Sequence, residues 1–389
     1  MRLVLLANPD NIHVRRWVAF LLERGHQLRL IADPHTRERP PGVETVLPRW
    51  NALTNSLAFR LTPAPHGNSL WKPIHYRPLI RAFHPDVVHG FEAYYNGLAT
   101  AWAGPYPKVL TPWGMDIHRD GRARGLSGWI VRRALRGADL ITTNDETLAD
   151  FLQAAYGLDR RRVRGFSWGV DLTVFRPGLE EARARWRAEL AAPAESPIVL
   201  YPRNFDPHWG AELFMEALGP VLARRPEAIA VILAPAPTPF RQRMKSLARE
   251  RGQEPAVRWI ERVLNPPEMA GLYNAAEVFV SAPRSDLLAM TVLEALACGC
   301  FPVLADLPAY RKHAWPGADH AIVLDRPDPA ALAEAIVSAF EDGPRRRRAA
   351  AYNAERMVRQ EDARINMARM EEVYAAARER AALRSRRTA

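Results

Sequence analysis

Lysine and cysteine are scarce in this chain of 389 residues. Lys72, Lys108, Lys245 and Lys312 are the only lysines among 54 cationic side chains, and Cys298 and Cys300 are the only cysteines. Two thiols one residue apart cannot form a disulfide framework, so an apolar core has to carry the fold, and a reducing, cytoplasmic setting is expected. No apolar run nears the ~20 residues of a membrane span. The apolar opening ends at Asn8-Pro9, so no secretory leader is expected. Zinc-ligand spacing, an Asp-x-Asp pair, an aromatic RNA platform and a basic heptad zipper are all missing. Neither a metal, another cofactor nor a nucleic-acid partner is therefore expected.

The net charge is +11, and nearly all of the cations are arginine. That balance fits a generally basic surface, or attraction to an anionic membrane face or anionic substrate. The cluster Arg119–Arg136, with Trp129 and Ile130 interleaved, is a candidate membrane-facing or acceptor-phosphate surface, so peripheral contact with the inner membrane face is an expectation. The run Arg345–Arg348 reads as a solvated helix start.

Short β-type runs alternate with amphipathic stretches along the whole chain. Leu3–Ala7 reads as a buried strand, and Val14, Trp17, Val18, Leu21 and Leu22 then share one helical face before Gly25 ends the helix. Strands follow at Gln27–Ala32, Asp86–His89, Lys108–Thr111 and Asp139–Thr142. From Pro40 to Gly67 the pattern fades into a long loop, with one strand at Val43–Leu47. A second cycle starts at Ile198–Tyr201 and runs through Ala228–Ala234, Val257–Ile260, Val278–Ser281 and Phe301–Ala305, with helices at Ala211–Leu222, Phe240–Arg251, Pro266–Asn274 and Met290–Ala297. This is the α/β class: two doubly wound domains of parallel strands, 1–178 and 197–344, facing a central cleft. The Pro- and Ala-rich stretch 179–196 reads as the linker. A single long helix from Arg345 to Ala381, within a segment 345–389, is expected to lie back across the first domain and to end in a basic tail.

Open parallel sheets bind ligands at the carboxyl ends of their strands. After Val278–Ser281 a polar loop with Arg284 and Asp286 leads into a helix starting near Ala289. The first-turn amides of that helix suit a diphosphate, and Asp286 and Glu294 suit hydroxyl groups. Structural alternatives for these two are a helix cap for Asp286 and a solvated position for Glu294.

Glu294-Ala-Leu-Ala-Cys-Gly-Cys-Phe-Pro-Val303, with an acidic residue eight positions earlier, resembles the signature of family-4 retaining glycosyltransferases of the GT-B fold (glycosyl transferases group 1). Pro85-Asp-Val-Val-His89, Thr111-Pro-Trp-Gly-Met-Asp116, Ala138-Asp139 and Gly169-Val-Asp-Leu-Thr-Val-Phe-Arg-Pro177 resemble other family elements and follow in the family's order. The resemblance implies two Rossmann-like domains and sugar transfer from a nucleotide diphosphate sugar, with retention at the anomeric carbon. It implies donor contacts from Arg203, Asp286, Glu294 and the amides of Met290, Thr291 and Val292. Arg203, Asp286 and His208 take the catalytic positions. Asp286 is a methylene shorter than the family's glutamate, and His208 stands where the family has lysine. Base recognition is expected from the backbone of Glu261–Asn265.

On the acceptor side His13, Glu92, Tyr94, Trp113 and Asp116 follow successive strand ends, while His89 reads as buried. The acceptor itself, whether glycan, lipid or small molecule, cannot be read from these residues. Cys298 and Cys300 read as core filler. Two rival readings share the fold. A sugar-nucleotide 2-epimerase would need additional acid and base groups and no acceptor, and Gly169–Pro177 favours the transferase. A catalytically weak binder would carry replacements such as Asp286 and His208.

Overall fold

A computed structural model describes residues 1–48, 67–121, 125–203, 205–312 and 319–388. It divides into two compact units: residues 1–167 with 366–389, and residues 168–365.

In the first unit the strands are β1 (Arg2–Leu6), β2 (Gln27–Ile31), β3 (Glu44–Val46), β4 (Val87–Phe91), β5 (Lys108–Thr111), β6 (Leu140–Thr143) and β7 (Val163–Gly165). They form one parallel sheet in the order β3-β2-β1-β4-β5-β6-β7. Leu3, Val4, Leu5 and Leu6 are wholly buried, each contributing about 1.5–3 kcal/mol of apolar burial. The sheet is flanked by α1 (Ile12–Glu23), α2 (Gly67–Phe83), α3 (Gly97–Ala101), α4 (Leu126–Gly137) and α5 (Glu146–Tyr156). The α1 face of Val14, Trp17, Val18 and Leu21 is buried as its spacing requires. The expected strand near Val43–Leu47 is β3; the part of the loop from 49 to 66 lies outside the described residues.

The second unit repeats the plan. β8 (Ile198–Tyr201), β9 (Ile229–Leu233), β10 (Val257–Ile260), β11 (Val278–Ser281), β12 (Phe301–Ala305) and β13 (Ile322–Leu324) pair in parallel as β10-β9-β8-β11-β12-β13. Around them lie α6 (Glu180–Glu189), α7 (Ala211–Arg224), α8 (Pro239–Glu250), α9 (Pro266–Ala275), α10 (Met290–Ala297), α11 (Pro308–Lys312), α12 (Pro329–Glu341) and α13 (Gly343–Gln360). Cys298 and Cys300 are buried in this core as free thiols, and burial raises both above the usual thiol range.

Three expectations meet a different structure. The stretch 179–196, read as a linker, lies inside the second unit. Its α6 docks on α9 through Trp186, whose indole N–H donates to the Glu268 carbonyl at 2.9 Å. Gly271 makes room for that contact, because a Cβ there would come within 2.9 Å of the Trp186 ring. The Arg345–Arg348 run is not simply solvated. Arg346 bonds the Ala339 and Phe340 carbonyls at the end of α12, and Arg345 reaches the Ala321 carbonyl at 3.3 Å.

The long terminal helix is two helices, α13 and α14 (Ala363–Thr388), interrupted at Glu361-Asp362. At the break Val170 N–H donates to Glu361 O at 2.6 Å and Ala363 N–H to Val170 O at 3.0 Å, forming a parallel bridge. Helical amides cannot serve both partners, so the helix opens where Val170 arrives. Gly169 makes the approach possible: its φ is +76°, and a Cβ would stand 2.7 Å from Ala363 Cα and from Glu361 O. We expect Gly169→Ala to lower the melting temperature, with a cost of at least 1–3 kcal/mol, on the order expected for a strained non-glycine φ plus a backbone clash. A calorimetric trace unchanged from the parent would refute that account.

Residues 366–388 of α14 belong to the first unit. Glu371 bonds Arg24 at 2.7 Å and His26 at 2.9 Å, and Tyr374 OH meets His89 Nδ1 at 2.9 Å. Among the described residues no helix is long and apolar enough to cross a membrane.

Candidate functional site

Strand order decides which loops meet. In each sheet the order reverses beside the first strand: β1 lies next to β4, and β8 next to β11. Connections leaving these neighbours go to opposite faces and leave a crevice at the strand ends. In the second unit that places the segment after Tyr201 beside the segment after Ser281. The two loops are in contact: Arg284 N–H donates to His208 O at 3.0 Å. Gly210, at φ +86°, is the second contact, since a Cβ would fall 2.2 Å from Ala282 O.

Arg203 is at the centre of this crevice and is 8 % exposed. Its Nη1 donates to Thr291 Oγ1 at 2.8 Å and its Nη2 to Asp286 Oδ2 at 2.5 Å. The guanidinium also packs over the Trp209 ring, 4.4 Å from the centroid. Burial opposes its charge, but Asp286 and its other neighbours hold the pKa above the ordinary value. Burial raises the Asp286 carboxyl, a shift that Arg203 counters, and its Oδ1 accepts the Leu287 amide at 2.9 Å. Two nitrogens in this crevice are buried with no hydrogen-bond partner among the described residues: Arg203 Nε and His208 Nε2. Buried polar atoms seldom stay unsatisfied unless a ligand or water serves them.

Helix α10 starts here without a side-chain cap at Ala289. Of the three amides expected to meet a diphosphate, that of Val292 already donates to Ala289 O at 3.0 Å. The offer therefore narrows to the first-turn amides of Met290 and Thr291. Glu294, in the second turn, is buried at 7 % exposure, and after burial its charge is the next cause that raises the Tyr273 and Cys298 pKa values. In the segment Glu261–Asn265, Asn265 is committed to a capping box with Glu268, and Glu261 pairs with Lys245.

The first unit has an equivalent crevice after β1 and β4. His13 sits in the first turn of α1, its amide capped by Asn11 Oδ1 at 2.9 Å, and its ring packs 5.6 Å from that of Trp113. Burial and then Arg16 lower its pKa to about 4, so it is neutral at pH 7. Glu92 takes a left-handed φ of +68° directly after β4. Its carboxyl is pushed up to about 7, first by burial and then by Asp116.

Two candidates are placed differently from expectation. Asp116 is buried, with one oxygen accepting the Ala93 amide at 2.5 Å and the other the Trp113 amide at 3.0 Å, so it ties the β4 and β5 loops together. Tyr94 is carried inward by the turn at Glu92 and is 2 % exposed; its neighbour Tyr95 is the exposed ring. His89 is fully buried between Thr111 and Tyr374, and burial lowers it to about 3.

Lys72, which the sequence reading passed over, lies beneath this crevice. It is 1 % exposed and donates to Asp33 Oδ2 at 2.9 Å and Asn96 Oδ1 at 3.1 Å, while Tyr76 OH donates to Asp33 Oδ1 at 3.0 Å. The available signal was its rarity, since a lysine in so arginine-rich a chain marks a place suited to a compact ammonium.

The profile of "Glycosyl transferases group 1" matches residues 182–357, and that of "Glycosyltransferase Family 4" matches residues 11–174. The D-inositol 3-phosphate glycosyltransferase of Thermomonospora curvata is 29% identical over 258 residues, 62% of this chain and 58% of that protein. The enzyme of the same name from Corynebacterium efficiens is 27% identical over 212 residues, 53% of this chain and 49% of its own length. The chain thus spans about half the length of the curated relatives it matches. Sucrose-phosphate synthase from Thermosynechococcus elongatus superposes with a TM-score of 0.79 at 18% identity, over 96% of this chain and 98% of that one. HepE of Anabaena, solved in complex with UDP and glucose, gives 0.78 at 14% identity over 96% and 99%. At such identities the solved structures establish the fold alone, two Rossmann-like parallel-sheet domains of the GT-B type. With the two family profiles covering most of its length in the expected order, the chain belongs to the group 1 glycosyltransferases.

Proposed function

We propose that this protein transfers a sugar from a nucleotide diphosphate sugar to an acceptor, with retention of anomeric configuration. The carrying observation is a pair of buried nitrogens, Arg203 Nε and His208 Nε2, that have no partner among the described residues, in a crevice shared with the open first turn of α10. Their chemistry suits an anion rich in acceptor oxygens, as a diphosphate is. The UDP complex of HepE supports the same ligand class.

In this reading Arg203 and the amides of Met290 and Thr291 stabilise the charge that grows on the leaving diphosphate. Asp286 holds Arg203 in place and faces a sugar hydroxyl, and Glu294 takes the ribose hydroxyls. The sugar–phosphate C–O bond breaks, the acceptor oxygen bonds to the same face of the anomeric carbon, and the acceptor proton passes to the departing phosphate. On the first unit His13, Glu92 and the Trp113 face bind the acceptor, and Asp116 positions their loops. The relatives' name makes D-inositol 3-phosphate the first acceptor to try.

The test incubates the full chain with UDP-, GDP- and ADP-sugars, without and with acceptor, and follows the products by NMR. Slow donor-specific hydrolysis, transfer to a product with the donor's anomeric configuration, and indifference to EDTA are expected. Interconversion of sugars without acceptor would point to the epimerase. Binding without turnover would leave only the weak binder.

A further inference from the structure

Helix α4 divides its residues sharply. Gly128, Ile130, Val131, Ala134 and Leu135 are buried, which takes Ile130 out of any surface role. The opposite face carries Trp129, Arg132, Arg133 and Arg136, spaced i, i+3, i+4 and i+7 in one stripe, and the helix has no acidic residue. Trp129 is 42% exposed, and Trp102, from the end of α3, stands edge-on to it with ring centroids 6.4 Å apart and is itself 37% exposed.

Many surface arginines of this chain are held by a carboxylate. Arg29 pairs with Glu44, Arg262 with Glu268 and Arg311 with Asp306. Among the described residues, the Arg132, Arg133 and Arg136 guanidiniums have no carboxylate or carbonyl partner; Arg133 only packs over Trp102, at 5.8 Å. Nor are they needed to finish the helix, because Arg162 supplies donors to the carbonyls of Leu135 at 3.1 Å and Ala138 at 2.5 Å. A cavity of about 300 Å³ opens between Arg132 and Arg136, with Gly121 and Tyr156 in its wall. It is large enough for a phosphate group, and its two cations are unspent.

We propose that this face of α4, extended by Trp102, docks on a bilayer containing anionic phospholipid. Indole rings favour the headgroup level of a bilayer, and unpaired guanidiniums favour its negative surface potential. An acidic protein face would also neutralise the stripe, but exposed indoles set beside guanidiniums are the combination that a bilayer's headgroup level favours.

The test is co-sedimentation of the full chain with vesicles of phosphatidylcholine alone and of phosphatidylcholine mixed with phosphatidylglycerol, at low and physiological salt. Binding is expected only to the mixed vesicles and should weaken as salt rises. The variant Arg132→Gln/Arg133→Gln/Arg136→Gln should bind roughly a hundredfold more weakly, at about fivefold per charge removed. The lysine triple variant, which keeps the charge, should bind nearly as the parent does. Trp102→Ser/Trp129→Ser should bind more weakly yet keep its salt dependence. Equal partition to both vesicle types, or a glutamine variant that binds like the parent, would overturn the proposal. So would capture of a single-stranded RNA oligonucleotide, through the same three arginines, in place of vesicles.

Discussion

Arg203→Ala is expected to lower turnover of the nucleotide sugar by about two to three orders of magnitude, the usual loss when a preorganised donor to a developing oxyanion is removed. The variant should also be less stable, by ~3–5 kcal/mol, because Asp286 is left buried without the cation that compensates it. The two effects separate in the double variant. Asp286→Asn added to Arg203→Ala removes the stranded charge, so the melting temperature should recover while turnover stays low. Arg203→Lys should fall in between, since one ammonium cannot reach both Thr291 and Asp286 as the guanidinium fork does. The decisive measurement is the rate of donor hydrolysis beside a thermal melt. If Arg203→Ala turns over at the parental rate while correctly folded, the diphosphate role is wrong.

The second large effect is one of pH. Glu92 has a folded pKa of about 7 against an ordinary 4.5, caused mainly by burial and then by Asp116, with Lys72 acting in the opposite direction. A raised carboxyl favours the protonated form in the folded state. Its contribution to stability is therefore complete below about 4.5 and is lost as pH rises through about 7. Glu92→Gln stays neutral throughout, so it should match the parent near pH 4 and exceed it by on the order of 3 kcal/mol at pH 8. Denaturant melts at the two pH values measure this directly, and an equal difference at both would refute it. In the proposed reading Glu92 contacts the acceptor, and on that reading the same variant should raise the acceptor KM by about tenfold above pH 7, where only the parent has a carboxylate to accept a hydroxyl hydrogen bond.

What could be read in the sequence followed burial. Strands such as Leu3–Leu6 and Ile198–Tyr201 lie inside parallel sheets covered on both faces, so they appear as unbroken apolar runs between polar turns. Helix α10 was visible from end to end for the same reason. The pairing of Arg203 with Asp286 was not, since it depends on the strand order that sets their loops side by side. Features set by distant partners were hidden. Residues 345–381 contain nothing that halts a helix; the interruption at Glu361-Asp362 is imposed by Val170, far away in the chain. Helix α2 holds Pro73 and Pro78 and so carries the marks of a loop. The sequence shows that Asp116 is acidic and follows a strand, but not that two backbone amides already occupy its oxygens.

Residues 168–365 form one unit from a single continuous stretch of chain, whereas the other unit is assembled from both ends of the sequence. During synthesis the order of completion is therefore reversed. The half begun first must wait with Arg24, His26 and His89 each short of one partner until Glu371 and Tyr374 leave the ribosome. A ribosome stalled before that point would display an intact later half beside an unfinished earlier one, and chaperones would find their substrate in the amino-terminal residues.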